Sequence, residues 1–124
     1  MAQIVDDTEA EGPGRRVALW VQGCSLRCAG CCNPEMFAPD AGPELELDAV
    51  VERVRAAARR GVEGLAILGG EPTEQAASVA AIARAARAAG LTVMVDSGPA
   101  TAMVTAVYRP RGACARSRTV TVGA

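Results

Sequence analysis

Four cysteines, Cys24, Cys28, Cys31 and Cys32, stand within nine residues of one another, and three of them are spaced Cys-x3-Cys-x2-Cys. Three thiolates on one short loop can hold three irons of a [4Fe-4S] cluster and leave the fourth iron open. An open iron can bind a small molecule and hand it an electron, which separates an enzyme from an electron carrier. Two other chemistries use the same donors. A zinc knuckle needs a fourth ligand, which Cys32 or Cys114 would supply. A closed electron-transfer cluster would recruit the same two residues. Adjacent cysteines strain to reach one metal, so Cys31 and Cys32 together favour the open site. Unligated thiols are the remaining alternative.

A second candidate is Gly69-Gly70-Glu71-Pro72. Its plain reading is a tight turn from strand to helix, where glycine is common. Its functional reading is that bare backbone lets a ligand approach closely, with Glu71 as an acceptor for a cationic amine. The second reading gains weight beside a cysteine loop.

The composition narrows the chemistry. The chain has 124 residues and a net charge of −1, enough for one domain and unlike a nucleic-acid-binding polycation. It contains no lysine and no histidine, which removes the commonest general base and the commonest zinc nitrogen ligand. With only Trp20, Phe37 and Tyr108 as aromatics, the core must be built from Val, Leu, Ile and Ala. The acidic start does not resemble a signal peptide, and no apolar run reaches the roughly 18–20 residues of a membrane span, so a soluble cytoplasmic protein is expected. In a reducing compartment clustered cysteines are metal ligands more often than disulfides, and the total of five is odd.

The elements that must position these residues follow from pattern. Met1 to Gly14 reads as an irregular lead-in, with Gly12-Pro13-Gly14 as a turn. Arg16 to Gln22 is a nearly continuous apolar run, as a buried parallel strand requires, and Gly23 ends it before the cysteine loop. Leu47 to Arg60 carries apolar residues at helical spacing and stops at Gly61. Gly64 to Leu68 is a second buried strand, Thr73 to Ala89 a second helix closed by Gly90, and Leu91 to Val95 a third strand ending at Asp96-Ser97-Gly98. Alternating strands and helices predict an α/β fold with a parallel β-α-β-α-β core. In such sheets ligands gather at the carboxyl ends of the strands. The cysteine loop, the Gly-Gly-Glu-Pro turn and the Ser97-Gly98 turn all follow strand ends, so all three would line one edge of one sheet.

After Gly98 the character changes. Ser97 to Ala124 holds Arg109, Arg111, Arg116 and Arg118 and no acid. Met103 to Tyr108 reads as a strand, and Arg109 to Ala124 shows no period. The expected division is residues 1–98 as core and 99–124 as an atypical tail, from truncation or a reading-frame change. A tail that adds no strand would leave the third strand as an unpaired edge.

The stretch Arg15 to Glu35, the Gly12-Pro13-Gly14 lead-in, Leu68-Gly69-Gly70-Glu71-Pro72 and Leu91 to Gly98 together resemble the radical S-adenosylmethionine (SAM) superfamily. Within it the resemblance is to activating enzymes of glycyl-radical proteins, above all those of anaerobic ribonucleotide reductase. Cys32 stands where that branch typically carries His. The resemblance implies a partial (βα) barrel in which Cys24, Cys28 and Cys31 hold three irons and SAM chelates the fourth. Gly69, Gly70 and Glu71 would sit against the SAM amino group. It implies an enzyme that cleaves SAM reductively and installs a glycyl radical on a partner, fed by a flavodoxin- or ferredoxin-like electron donor. It implies neither a nucleic-acid nor a membrane partner. This chemistry needs no histidine base, because the cofactor carries the hard step.

Overall fold

The computed structural model describes residues 3–98, 106–108 and 118–121. Cys114 and residues 103–105 of the expected Met103–Tyr108 strand lie outside them. Three parallel strands form the centre: β2 (Arg16–Val21), β3 (Gly64–Gly69) and β4 (Thr92–Ser97). Helix α1 (Leu47–Arg59) connects β2 to β3, and α2 (Ala76–Ala88) connects β3 to β4. The predicted β-α-β-α-β core is thus present, with ends within a residue or two of the expected ones except at the start of α2.

Both helices pack on the same face of the sheet. Val50, Val54 and Ala57 of α1 and Ile82, Ala83 and Ala86 of α2 close over Val17, Leu19, Val21, Leu65, Ile67, Val93 and Val95. The alternate strand positions Ala18, Ala66 and Leu68 form a smaller buried cluster on the other face, with Val5 and Trp20 against it. Burial on both faces explains why the strands read as continuous apolar runs rather than alternating ones.

Both helices end in the same way. Gly61 and Gly90 adopt left-handed φ of 90° and 86°. In α1 the amides of Gly61 and Val62 donate to the carbonyls of Ala58 and Ala57; in α2 those of Gly90 and Leu91 donate to Arg87 and Ala86. This is the Schellman pattern, which satisfies carbonyls a helix end would otherwise leave open.

Three features differ from expectation. The lead-in contains a strand, β1 (Gln3–Thr8), antiparallel to β2 with a register shift between Val5 and Thr8. Its two aspartates hid it: Asp6 pairs with Arg53 of α1 at 2.8 Å and Asp7 with Arg15, partners remote in sequence or across the strand pair. The outer edge of β4 is not open. It pairs antiparallel with β6 (Arg118–Thr121), which in turn pairs with β5 (Ala106–Tyr108), giving the order β1-β2-β3-β4-β6-β5. Finally, the helix expected from Thr73 begins as a 3-10 turn over Pro72–Gln75, and α2 proper starts only at Ala76. Gln75 is held at φ −118° while its side chain donates to the Gln22 carbonyl at 2.6 Å, a pull from another strand end that interrupts the helix.

At the amino end of the strands, Arg16 is almost fully buried, at 2% exposure. Its guanidinium lies over Gly64 and donates to the carbonyls of Pro13, Leu65 and Thr92 at 2.9–3.3 Å. Burial lowers its pKa from the ordinary arginine value.

Candidate functional site

The three loops expected at one sheet edge do meet there, and specific bonds hold them together. The cysteine loop leaves β2 at Gln22 and Gly23. The Gln22 side chain donates to the carbonyls of Glu35 and Ala38 at 3.0 and 2.7 Å. The amides of Gly23 and Cys24 donate to Met36 and Phe37 at 2.9 and 3.2 Å. The loop is therefore closed onto the short 3-10 turn Pro34–Met36 that follows it. Arg27 takes a left-handed φ of 43°, unusual for a side chain of its size, and its guanidinium lies over the Phe37 ring, 5.5 Å from the centroid. That cation–π contact offsets part of the roughly 1–2 kcal/mol a left-handed residue costs.

Cys24, Cys28 and Cys31 are free thiols, each partly exposed, and Cys32 is exposed. The Cys31 amide donates to the Cys28 carbonyl at 3.2 Å, so Cys28 to Cys31 is a closed turn that brings its ends to one side. The Asn33 amide donates to the Cys31 sulfur at 3.4 Å. Gly30, at φ 71°, has nothing within 4 Å of the place a Cβ would occupy. Among the described residues no three Cys, Asp or Glu side chains are already gathered as a metal-binding group. The donor chemistry suits iron, and metal binding and loop folding are commonly coupled.

The Gly69-Gly70 turn shows why glycine stands there. A Cβ on Gly70 would lie 2.2 Å from the Gly23 carbonyl oxygen, and one on Gly69 would lie 2.9 Å from Met36 and from β2 backbone. The absent side chains make room for the end of β2. The amides are used in the same seam: Gly70 donates to Val21 and Glu71 to Gly23, both at 2.8 Å.

Glu71 is buried at 2% exposure. Its Oε1 accepts from the Thr73 amide at 2.9 Å, the Thr73 hydroxyl at 2.6 Å and the Ser97 hydroxyl at 2.8 Å, and its Oε2 accepts from the Gly98 amide at 2.8 Å. The carboxylate thus caps the 3-10 turn and ties the end of β3 to the end of β4.

Sequence reading missed two polar partners. Ser97 is buried and serves Glu71. Glu74 reaches into the cysteine loop, where its Oε1 accepts from the Ser25 amide at 2.9 Å and the Ser25 hydroxyl at 2.5 Å. Those two bonds, hydroxyl first, lower the Glu74 pKa from its ordinary value. The only signal in sequence was the Glu71-x-x-Glu74 spacing, which places both on one side of a 3-10 turn but names neither partner.

A groove lined by Arg55, Ala58, Arg59, Ala85, Ala88 and Ala89 lies between the carboxyl ends of the helices. Those ends sit at the amino ends of the strands, so the groove is remote from the cysteine loop. No helix among the described residues is long and apolar enough to cross a membrane.

Comparison with known proteins finds relatives of the chain. Residues 10–108 match the family model described as a 4Fe-4S single cluster domain. A putative glycyl-radical enzyme activating enzyme of Haemophilus influenzae is 32% identical over 97 residues, covering 77% of this chain and 37% of the relative. The anaerobic ribonucleoside-triphosphate reductase-activating protein of Enterobacteria phage T4 is 34% identical over 61 residues, covering 49% and 39%. A pyruvate formate-lyase-activating enzyme of Clostridium pasteurianum is 29% identical over 90 residues, covering 70% and 38%. The chain spans less than two fifths of the length of each of these relatives. No solved structure gives a significant match.

Proposed function

The chain belongs to the 4Fe-4S single cluster domain family and groups with the radical SAM activating enzymes, and from that premise we propose that it binds SAM on an open cluster and cleaves it reductively. Cys24, Cys28 and Cys31 are the iron ligands in this reading, and Gly69, Gly70 and Glu71 form the strip beside the SAM amino group. When bound, the cluster would supply one-electron reduction of the SAM sulfonium, with the electron coming from a flavodoxin- or ferredoxin-like donor, methionine as the leaving product and the resulting 5'-deoxyadenosyl radical directed at a backbone glycine of a partner enzyme.

The observation that carries this reading is the seam at the carboxyl edge of the sheet. Gly70 lies against Gly23 and Glu71 bonds to Gly98, so the loops after β2, β3 and β4 form one continuous rim. Within it the chain's residues do three things. The three thiols offer soft donors from one short loop. The Asn33 amide holds the Cys31 side chain by a hydrogen bond to its sulfur. The Glu71 carboxylate fixes the rim and leaves a negative charge near any bound ammonium, acting through the field rather than by direct contact. The helices lie on one face only, the arrangement a partial (βα) barrel requires. A partner of the anaerobic ribonucleotide reductase type is favoured by the Gly12-Pro13-Gly14 lead-in and by the likeness to the phage T4 activating protein.

The test is anaerobic iron–sulfur reconstitution followed by electron paramagnetic resonance of the reduced protein with and without SAM. A [4Fe-4S]⁺ signal that shifts on adding SAM is the expected result. A cluster signal indifferent to SAM would point to a closed electron-transfer centre and refute the proposal.

A further inference from the structure

Two of the hydrogen-bonded attachments of the cysteine loop to the rim differ in kind. The first is backbone: the Glu71 amide donates to the Gly23 carbonyl, and Gly70 packs on Gly23. Gly23 has a left-handed φ of 100°. The second is the Glu74 carboxylate, which takes both the amide and the hydroxyl of Ser25, between Cys24 and Cys28. Of these attachments, only the Glu74 bonds reach the stretch between Cys24 and Cys28 from the turn that carries Glu71, and they restrict its orientation.

Glu74 shares a 3-10 turn with Glu71, and its amide donates to the Glu71 carbonyl at 3.0 Å. The residue that grips the cysteine loop therefore moves as a unit with the Gly69–Glu71 strip. We infer that Glu74 is a positioning residue: through Ser25 it sets the orientation of the cysteine loop relative to Gly69 and Gly70, and so the spacing between the iron ligands and the strip that receives the SAM amino group. This rests on the proposed function for its consequence, but the clamp itself is a property of the protein without metal. Glu74 touches neither the sulfurs nor the Gly-Gly turn. Its role is in geometry, and its loss should weaken SAM binding more than iron loading.

The test has two arms on the full chain. In the reduced metal-free protein, hydrogen exchange is followed by residue. Glu74→Ala is expected to speed exchange of the Ser25 amide about tenfold, the size of effect that loss of a charge-assisted hydrogen bond at an exposed site produces. Amides of β3 and α2 should keep their rates. Glu74→Gln, which retains an acceptor oxygen without the charge, should fall between, and Ser25→Ala should give a smaller rise because the backbone bond survives. In the reconstituted protein, Glu74→Ala should load iron as the parent does but need about tenfold more SAM for half of the spectral shift.

An unchanged Ser25 amide in Glu74→Ala would overturn the clamp. A SAM titration superimposed on that of the parent would overturn its role in positioning. If Glu74→Ala proves too unstable to load iron, Ser25→Ala decides: a weakened SAM titration supports the inference and a parental one refutes it. If the parent itself shows no response to SAM, the functional reading fails, and the exchange arm alone judges the clamp.

Discussion

Removing the Glu71 carboxylate tests whether this motif residue is a structural tie. In Glu71→Ala four donors lose their acceptor. Those on Thr73 are at an exposed residue and regain water at little cost, although the 3-10 turn loses its cap, worth about 1 kcal/mol. The Ser97 hydroxyl is buried and the Gly98 amide partly so; losing each of these bonds to a carboxylate costs about 1–2 kcal/mol. The expected loss is about 3–5 kcal/mol, a large share of the roughly 5–15 kcal/mol that holds a typical domain together. Glu71→Gln should lose less, about 1–2 kcal/mol. Its oxygen can keep Thr73 and Ser97, but its NH2 group then faces the Gly98 amide, donor against donor. Urea denaturation of the reduced metal-free protein, followed by circular dichroism, measures both. If Glu71→Ala unfolds within about 1 kcal/mol of the parent, the four bonds are not a tie, and the carboxylate must be assigned to ligand binding alone.

Other predictions follow from the same seam. Gly70→Ala would drive a Cβ into the Gly23 carbonyl and should destabilise by about 3 kcal/mol or more, whereas Gly30→Ala meets nothing and should lose only the roughly 1–2 kcal/mol of a left-handed alanine; thermal unfolding ranks the two. Cys24→Ala, Cys28→Ala and Cys31→Ala should each abolish iron binding while Cys32→Ala retains it, and a fully assembled cluster in Cys28→Ala, seen by iron analysis and visible absorption, would overturn the ligand assignment. Glu11 has its pKa raised from 4.5 by burial and by the nearby Asp96. A raised carboxyl favours folding fully below about pH 4.5 and loses that contribution as pH climbs through its folded pKa. Glu11→Gln should therefore stabilise modestly at pH 7, by about 0.5 kcal/mol or less, and flatten the rise in stability on acidification to pH 5; identical pH profiles would refute the assignment.

The sequence by itself determined the central plan. Apolar runs ending in glycine located β2, β3 and β4, and apolar periodicity closed by Gly61 and Gly90 located both helices, because these signals are local: each depends on a few neighbouring residues and the backbone freedom of one glycine. That plan alone brings the cysteine loop, the Gly-Gly-Glu-Pro turn and the Ser97-Gly98 turn to one edge. The tertiary structure decided everything that depends on a distant partner. β1 exists because β2 offers it an edge and Arg53 offers Asp6 a cation, although its own pattern is broken by aspartates. β6 is a strand because β4 had an open side, not because Arg118 to Thr121 has a period. Glu71 and Glu74 look alike in sequence, three residues apart. One turns inward to Ser97 and Gly98, the other outward to Ser25, and only the packed positions of strand ends 26 and 49 residues away choose between them.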